Sequence, residues 1–191
     1  MRQTPTRRAF LAPLTLLMTL SLAAPVLVRA QREHLTPEEV ELVRDNQELD
    51  KRTAVFIRAA ERRVLALTDP AGAERGAAKD KEKWGEVKGT RAQLLYDVAH
   101  ILEEAVVNID DVHQRSPESA LLRKALYSLS EAAARLVPQL TPLRENIADG
   151  PERDQLERAI ETAEEIVAAA KTHAVTEEDL KVKEKGGKKG N

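Results

Sequence analysis

The sequence contains no cysteine and few aromatic residues: one tryptophan, two tyrosines and two phenylalanines among 191 residues. Without cysteine there is no disulfide, no thiolate metal ligand and no covalent c-type haem, so burial of apolar side chains must hold the fold together. Both methionines, Met1 and Met18, lie in the first 30 residues, so the rest of the chain also lacks the methionine ligand of a His/Met haem. Scarce aromatics and a formal net charge of −2 argue against nucleic-acid binding, which uses basic surfaces and stacking platforms.

The motifs of the common enzyme classes are missing as well. There is no Gly-x-Ser-x-Gly nucleophile elbow, no glycine-rich phosphate loop and no His-Glu-x-x-His zinc motif. The acidic and basic residues that alternate along the chain are typical of solvent-exposed helix faces. The sequence therefore predicts neither an enzyme nor a protein that carries a cofactor.

The first 30 residues have a composition of their own. They carry four arginines (Arg2, Arg7, Arg8 and Arg29) but no aspartate, glutamate or lysine, and residues 9–28 are uncharged. A basic start, an apolar centre and a small-residue exit are the three parts of an export signal. The exit, Val28-Arg29-Ala30, predicts cleavage before Gln31.

The arginine pair is followed by Phe10 and Leu11, and residues 6–11 read Thr-Arg-Arg-Ala-Phe-Leu. This resembles the twin-arginine export signal, Ser/Thr-Arg-Arg-x-Phe-Leu-Lys, although Ala12 stands where lysine is usual. The resemblance covers residues 1–30 only and implies that the domain folds in the cytoplasm and is exported folded. The alternatives are an ordinary secretory signal and an uncleaved anchor in which residues 9–28 span the bilayer. All three place the rest of the chain outside the cytoplasm, in the periplasm or secreted.

Four segments begin with residues that favour a helix start. A capping residue precedes proline and then glutamate at Thr36, Ser116 and Gly150, and Thr90 with Gln93 fits a capping box. We predict helices over residues 36–68, 90–115, 117–148 and 151–173. Because the linkers between the last three are very short, their helices should be antiparallel neighbours. The predicted fold class is all-α: an up-down-up-down four-helix bundle with a long loop between helices 1 and 2.

Apolar stripes support these helices. The third segment is the clearest, with spacings of four and three that place one coiled-coil-like stripe on one side: Leu122, Leu126, Leu129, Ala133, Leu136, Leu140, Leu143 and Ile147. The stripe keeps its phase across Pro138 and Pro142, so we expect a kink there rather than a domain boundary. The first segment is the weakest, because residues 45–53 are nearly all polar.

Residues 69–89 are rich in glycine, alanine and charge, and we predict that they form the long loop, either mobile or binding. Trp84 in this loop is either an exposed anchor for a partner or part of a lid packed over the end of the bundle. The bundle domain should cover residues 31–175. Residues 176–191 should form a short helical turn and a disordered basic tail, either solvated or in contact with anionic envelope polymers.

Histidines and carboxylates are the candidate metal ligands. In the predicted bundle, helix 2 ends where helices 1 and 3 begin and helix 4 ends, which gathers His34, His113 and His173 at one pole. Asp110 lies one turn from His113, and such a set could hold a divalent ion without sulfur. Alternatively, the imidazoles of His113 and His173 simply complement negative helix ends.

A second Asp-x-x-His pair, Asp97 with His100, precedes the pair of Asp110 with His113 on the same helix. The two pairs are about 20 Å apart, so they cannot share a metal ion. We expect His100 and Asp97 on a solvated face, far from the pole.

The leading functional expectation is an exported, non-enzymatic protein of the cell envelope with a binding or structural role. Its partner would be another envelope protein, and membrane contact would require an uncleaved signal segment. The alternative is a bundle that binds a divalent metal or a small ligand. We expect no resident cofactor and no nucleic-acid partner.

Replacing Arg7 and Arg8 together with lysine tests the export route. If the pair is a twin-arginine address, the precursor should stay in the cytoplasm although its charge is unchanged, because the resemblance implies that the arginines themselves are recognised. Cell fractionation and immunoblotting of precursor and mature forms measure this, with Arg2→Lys as the control. Wild-type export of the double variant would leave only the ordinary secretory route.

Overall fold

The computed structural model describes residues 33–181, apart from the side chains of residues 77–79. This range forms six α-helices and two 3₁₀ helices and contains no strand, so the chain is all-α as predicted. The α-helices are α1 (Pro37–Asp45), α2 (Leu49–Thr68), α3 (Pro70–Trp84), α4 (Arg91–Arg115), α5 (Ala120–Leu140) and α6 (Pro151–Thr172). The 3₁₀ helices are Thr141–Asn146 and Glu177–Lys181. No described helix is long and apolar enough to cross a bilayer. The predicted export signal and the tail from residue 182 onward lie outside the described residues.

Three of the four predicted helix starts are confirmed. Thr36 and Thr90 each close a capping box, in which the threonine hydroxyl accepts the N–H of the residue three positions on and that side chain accepts the threonine N–H. Proline after Gly150 opens α6. The predicted start at Ser116 is wrong, because the N–H of Ser119 donates to the Ser116 carbonyl at 2.9 Å in a turn, and α5 begins only at Ala120.

The first predicted helix is broken into α1 and α2. The backbone N–H and the side-chain amide of Asn46 both donate to the Leu42 carbonyl, at 3.2 and 2.7 Å, and Asn46 adopts an extended conformation. A side chain that satisfies a carbonyl at the helix end helps to stop the helix there. The break falls inside the polar stretch that weakened this segment in the sequence.

The predicted long loop at residues 69–89 is wrong, because most of it is the helix α3. The Asp69 carboxylate accepts the N–H of Gly72 at 2.9 Å, and Pro70 occupies the first turn. The helix ends at Gly85, whose φ of +68° suits glycine and whose N–H donates to the Lys81 carbonyl at 3.0 Å. Helix α3 packs on α1 and α2. Trp84 is half-buried and faces α1 and α2. The sequence had left two expectations for this residue, an exposed anchor and part of a lid over the end of the bundle.

The four longest helices, α2, α4, α5 and α6, surround one apolar core. Helices α4 and α5 each pack extensively against both α2 and α6. Helices α4 and α5 make few contacts with each other, and α2 and α6 make none in the described part of the chain. The order around the core is therefore α2, α4, α6, α5, with α4 and α5 on a diagonal. The prediction that consecutive helices are neighbours does not hold for α4 and α5.

Ion pairs between the helices give their directions. Asp50 and Glu61 of α2 pair with Lys124 and Arg135 of α5, at 2.5 and 3.0 Å. The later residue of α2 pairs with the later residue of α5, so these adjacent helices are parallel. The same holds for α4 and α6, where Arg91 pairs with Glu152 at 3.2 Å and Glu103 with Arg158 at 2.6 Å. The short link of residues 116–119 therefore crosses the end of the molecule instead of joining neighbours.

The predicted stripe of α5 faces the core. Leu129 and Leu136 are 0% and 1% exposed, and the other members are buried or packed against the core, except for Leu126, which is partly exposed. The α-helix continues through Pro138 to Leu140 and then tightens into the 3₁₀ helix that contains Pro142. The chain thus changes helix type near the prolines without leaving the core.

Truncation of the stripe should be costly. Leu129→Ala and Leu136→Ala should each lower the free energy of unfolding by about 2 to 5 kcal/mol, because each leaves a cavity in a fully packed core. Glu161→Ala on the exposed side of α6 should stay within roughly 0.5 kcal/mol of the parent. Thermal and urea unfolding followed by circular dichroism measure the difference. Equal effects at both kinds of position would contradict the packing of α5.

Candidate functional site

A groove of about 810 Å³ opens between α4, α5 and α6, at the end of the molecule where the link of residues 116–119 crosses. Its walls come from the second half of α4, the first turns of α5 and the last turns of α6. A concave site of this volume is within the range of small-molecule sites in proteins.

The walls of the groove are largely apolar. Apolar side chains line it from all three helices: Val106, Val107, Ile109, Leu122, Leu126, Ile166 and Ala169, with Val175 beyond α6. Val107 is 62% exposed, the highest value among the exposed large apolar residues of the described chain. Leu126, the stripe residue that does not join the core, faces the same groove. Apolar surface concentrated in one concavity marks a binding surface rather than ordinary surface scatter.

The charged groups around the groove are mainly acidic. Asp110 of α4, Glu118 of the link and Glu165 of α6 are exposed, and none of them forms an ion pair within residues 33–181. Glu103 also lines the groove, but Arg158 pairs with it at 2.6 Å. The groove therefore has three carboxylates that no cation of the described chain neutralises.

The one arginine of the groove is held by its own surroundings. Arg123 donates to both carboxylate oxygens of Asp179, at 2.9 and 3.2 Å, and to the carbonyls of His173 and Ala174, at 3.0 and 2.8 Å. Hydrogen bonding from Arg123 lowers the pKa of Asp179. These contacts tie the segment after α6 to α5 and leave Arg123 little capacity to bind an anion.

The structure brings together three of the four predicted metal-site residues. Asp110, His113 and His173 all line the groove, and both of these histidines are exposed. His34 lies elsewhere, since its Nε2 is 2.6 Å from the Glu104 carboxylate and its ring centroid is 5.9 Å from that of His100. The described residues contain no group of three or more His, Cys, Asp or Glu side chains arranged to hold a metal ion.

His100 does not lie on a solvated face as predicted. Its ring packs against Tyr96 with centroids 3.9 Å apart, and its Nδ1 is 3.0 Å from the Glu103 carboxylate. Burial lowers the pKa of His100, and the nearby charge of Glu103 opposes that shift. Asp97, which the sequence placed on the same solvated face, is 2% exposed beside Arg63. His34, which precedes α1, lies against this part of α4 beside Glu104 and His100.

A second polar cluster lies inside the protein, around Glu39. One carboxylate oxygen of Glu39, which is 0% exposed, accepts from Arg62 and from Arg63 at 2.5 Å each, and the other accepts the N–H of Thr36 at 2.9 Å. Arg62 also donates to the carbonyls of Trp84 and Gly85, at 2.8 and 2.6 Å. Burial lowers the pKa of Arg62, and the Glu39 carboxylate opposes the shift.

This cluster has the properties of a structural connection. The Glu39 carboxylate is fully occupied by donors, and Arg63 also binds the carbonyl of His34 at 2.9 Å. Glu39, Arg62 and Arg63 are each at most 8% exposed, so the cluster offers almost no accessible surface to a substrate. The groove between α4, α5 and α6 is therefore the better candidate site.

Comparison of the chain with protein-family models, with curated proteins and with solved structures finds no match.

Neutralising Glu39 should destabilise the protein strongly. In Glu39→Gln two buried guanidinium groups lose their shared counter-charge, which typically costs about 3 to 5 kcal/mol. Urea unfolding followed by the fluorescence of Trp84, the one tryptophan, measures the loss close to the cluster. Glu41→Gln is the matched control, since Glu41 is exposed on the same helix and pairs only with Arg44. Equal urea midpoints for the two variants would show that the cluster does not stabilise the fold.

Proposed function

We propose that this chain is an exported, non-enzymatic helical-bundle protein of the cell envelope that acts by binding, with the groove between α4, α5 and α6 as its site. In this proposal α2, α4, α5 and α6 form a four-helix bundle whose directions alternate along the chain. Helix α3 lies along the bundle where a loop was predicted. The alternating directions are supported by the ion pairs between adjacent helices.

The location is supported by the sequence of residues 1–30. The arginine pair, the uncharged run of residues 9–28 and the small-residue exit together favour export. An uncleaved segment would instead anchor the domain outside the cytoplasm, and the groove would serve the same purpose there.

The observation that carries the binding role is the groove itself. Apolar side chains from three helices converge on one concavity, and highly exposed Val107 lies among them. Leaving such surface in water is unfavourable, by roughly 25 cal/mol for each Å² that a ligand would cover, so occupancy by an apolar group should be favourable. Two kinds of occupant fit this proposal: a small amphipathic ligand and a helix of another envelope protein.

The metal-binding alternative has less support. Asp110, His113 and His173 share the groove, but their arrangement is not that of a metal site in the described residues. The same alternative included the binding of a small ligand, and the groove supports that role.

A neutral environment-sensitive dye, N-phenyl-1-naphthylamine, tests the groove. The parent protein should enhance its fluorescence saturably, and Ala169→Trp should weaken binding roughly tenfold, about 1.4 kcal/mol, because the indole would fill the groove. Ala168→Trp is the matched control: Ala168 is the preceding residue of α6, exposed and outside the groove. Circular dichroism checks that both variants fold. No saturable binding by the parent, or equal binding by the two variants, would contradict the proposed site.

A further inference from the structure

We infer that the groove selects a small cationic amphiphile, a molecule with one apolar chain or ring system and a positively charged head. This inference rests on the proposed function and adds the chemical class of the ligand. Apolar walls would take the body of such a molecule, and the unpaired carboxylates would face its head.

The free charge around the groove is negative, because Arg123, the one arginine or lysine among the residues that line it, already has partners. Arg123 is held by Asp179 and by two backbone carbonyls. Asp110, Glu118 and Glu165 come from α4, the link and α6, so the free negative charge is not confined to one element. An anionic head would meet these carboxylates without a compensating cation, whereas a cationic head would be attracted by all three.

The helix ends at the groove add to this preference. Helices α4 and α6 both end here, at Arg115 and Thr172, and only α5 begins here. A helix C-terminus carries partial negative charge and an N-terminus partial positive charge, so two C-termini outweigh one N-terminus. The helix dipoles and the carboxylates therefore favour the same sign of ligand.

The size of the groove favours a small molecule over a partner helix. Its wall on α4 runs from Glu103 to His113, which is about 15 Å along the helix axis. The link of residues 116–119 lines the groove beyond the end of α4, so the concavity is short. A helix with its side chains is about 10 to 12 Å wide, and 15 Å corresponds to fewer than three of its turns. An alkyl chain of about twelve carbons matches this length, so the apolar surface of the ligand would lie within the groove.

The experiment uses three probes with the same dodecyl chain and different heads: trimethylammonium, maltoside and sulfate. Each is used below the concentration at which it forms micelles, to displace the naphthylamine dye from the mature chain at pH 8, where ordinary imidazole is uncharged. The trimethylammonium probe should bind about tenfold more tightly than the sulfate probe at low salt, with the maltoside between them. The preference should shrink as salt is added, because screening weakens attraction between exposed charges.

The variant that tests the inference is Asp110→Asn with Glu118→Gln and Glu165→Gln, which removes three charges while conserving side-chain shape. The preference for trimethylammonium over sulfate should fall to less than about twofold. The matched control is Glu74→Gln with Glu82→Gln and Glu161→Gln, which changes net charge equally at exposed positions outside the groove. This control should keep the preference of the parent.

The outcomes separate this inference from the proposed function. If no probe displaces the dye and the dye itself does not bind, the proposed function fails and the inference fails with it. If all three probes bind equally, the groove is a binding site but the inference is wrong. Equal loss of preference in both triple variants would mean that overall charge, not the groove, selects the head group. A basic amphipathic peptide that displaced the dye more tightly than the trimethylammonium probe would overturn the choice of a small ligand.

Discussion

The buried carboxylate of Glu39 joins three parts of the chain that are distant in sequence. It receives donors from the N-terminal segment and from the two adjacent arginines of α2, and those arginines bind the carbonyls that follow α3 and precede α1. A buried ion is costly unless its partners are held in place, so the burial of Glu39 depends on donors from these segments. The cluster fixes α1 and the end of α3 against the outer side of α2.

This cover lies on one side of the bundle only. Helices α1 and α3 pack on α2, whereas in the described chain neither contacts α6. The outer surface of α2 is thus partly enclosed, and the surface of α6 stays open to solvent. Near the end of α6, side chains of α4, α5 and α6 line one groove beside the link of residues 116–119. Four carboxylates line this groove, and three of them, Asp110, Glu118 and Glu165, have no ion-pair partner within residues 33–181.

Much of the fold could be predicted from periodicity and capping, because both are local. The α5 stripe is buried as expected apart from Leu126, and the boxes at Thr36 and Thr90 form as their spacing requires. Helix α3 was missed although the same cap-before-proline signal occurs at Asp69 and Pro70, because its glycines and charges favoured a loop. The false start at Ser116 shows the opposite error, since an identical local signal there forms a turn. Of the candidate metal ligands, His113, His173 and Asp110 line one groove, whereas His34 lies beside His100 of α4.

By itself the sequence determined that the domain is helical, which faces of the helices are apolar and that no cysteine chemistry supports the fold. These properties follow from residue type and spacing within a single helix. The tertiary structure alone decided which helices are neighbours, because an apolar stripe specifies that a face is buried but not which helix buries it. It also decided that Arg62, Arg63 and Asp97 lie inside, because a charged residue is buried only when a partner from another segment meets it there. The groove belongs to the same category: its apolar walls come from three helices, and its unpaired carboxylates from α4, α6 and the link of residues 116–119. No local pattern encodes the order of these helices around the core.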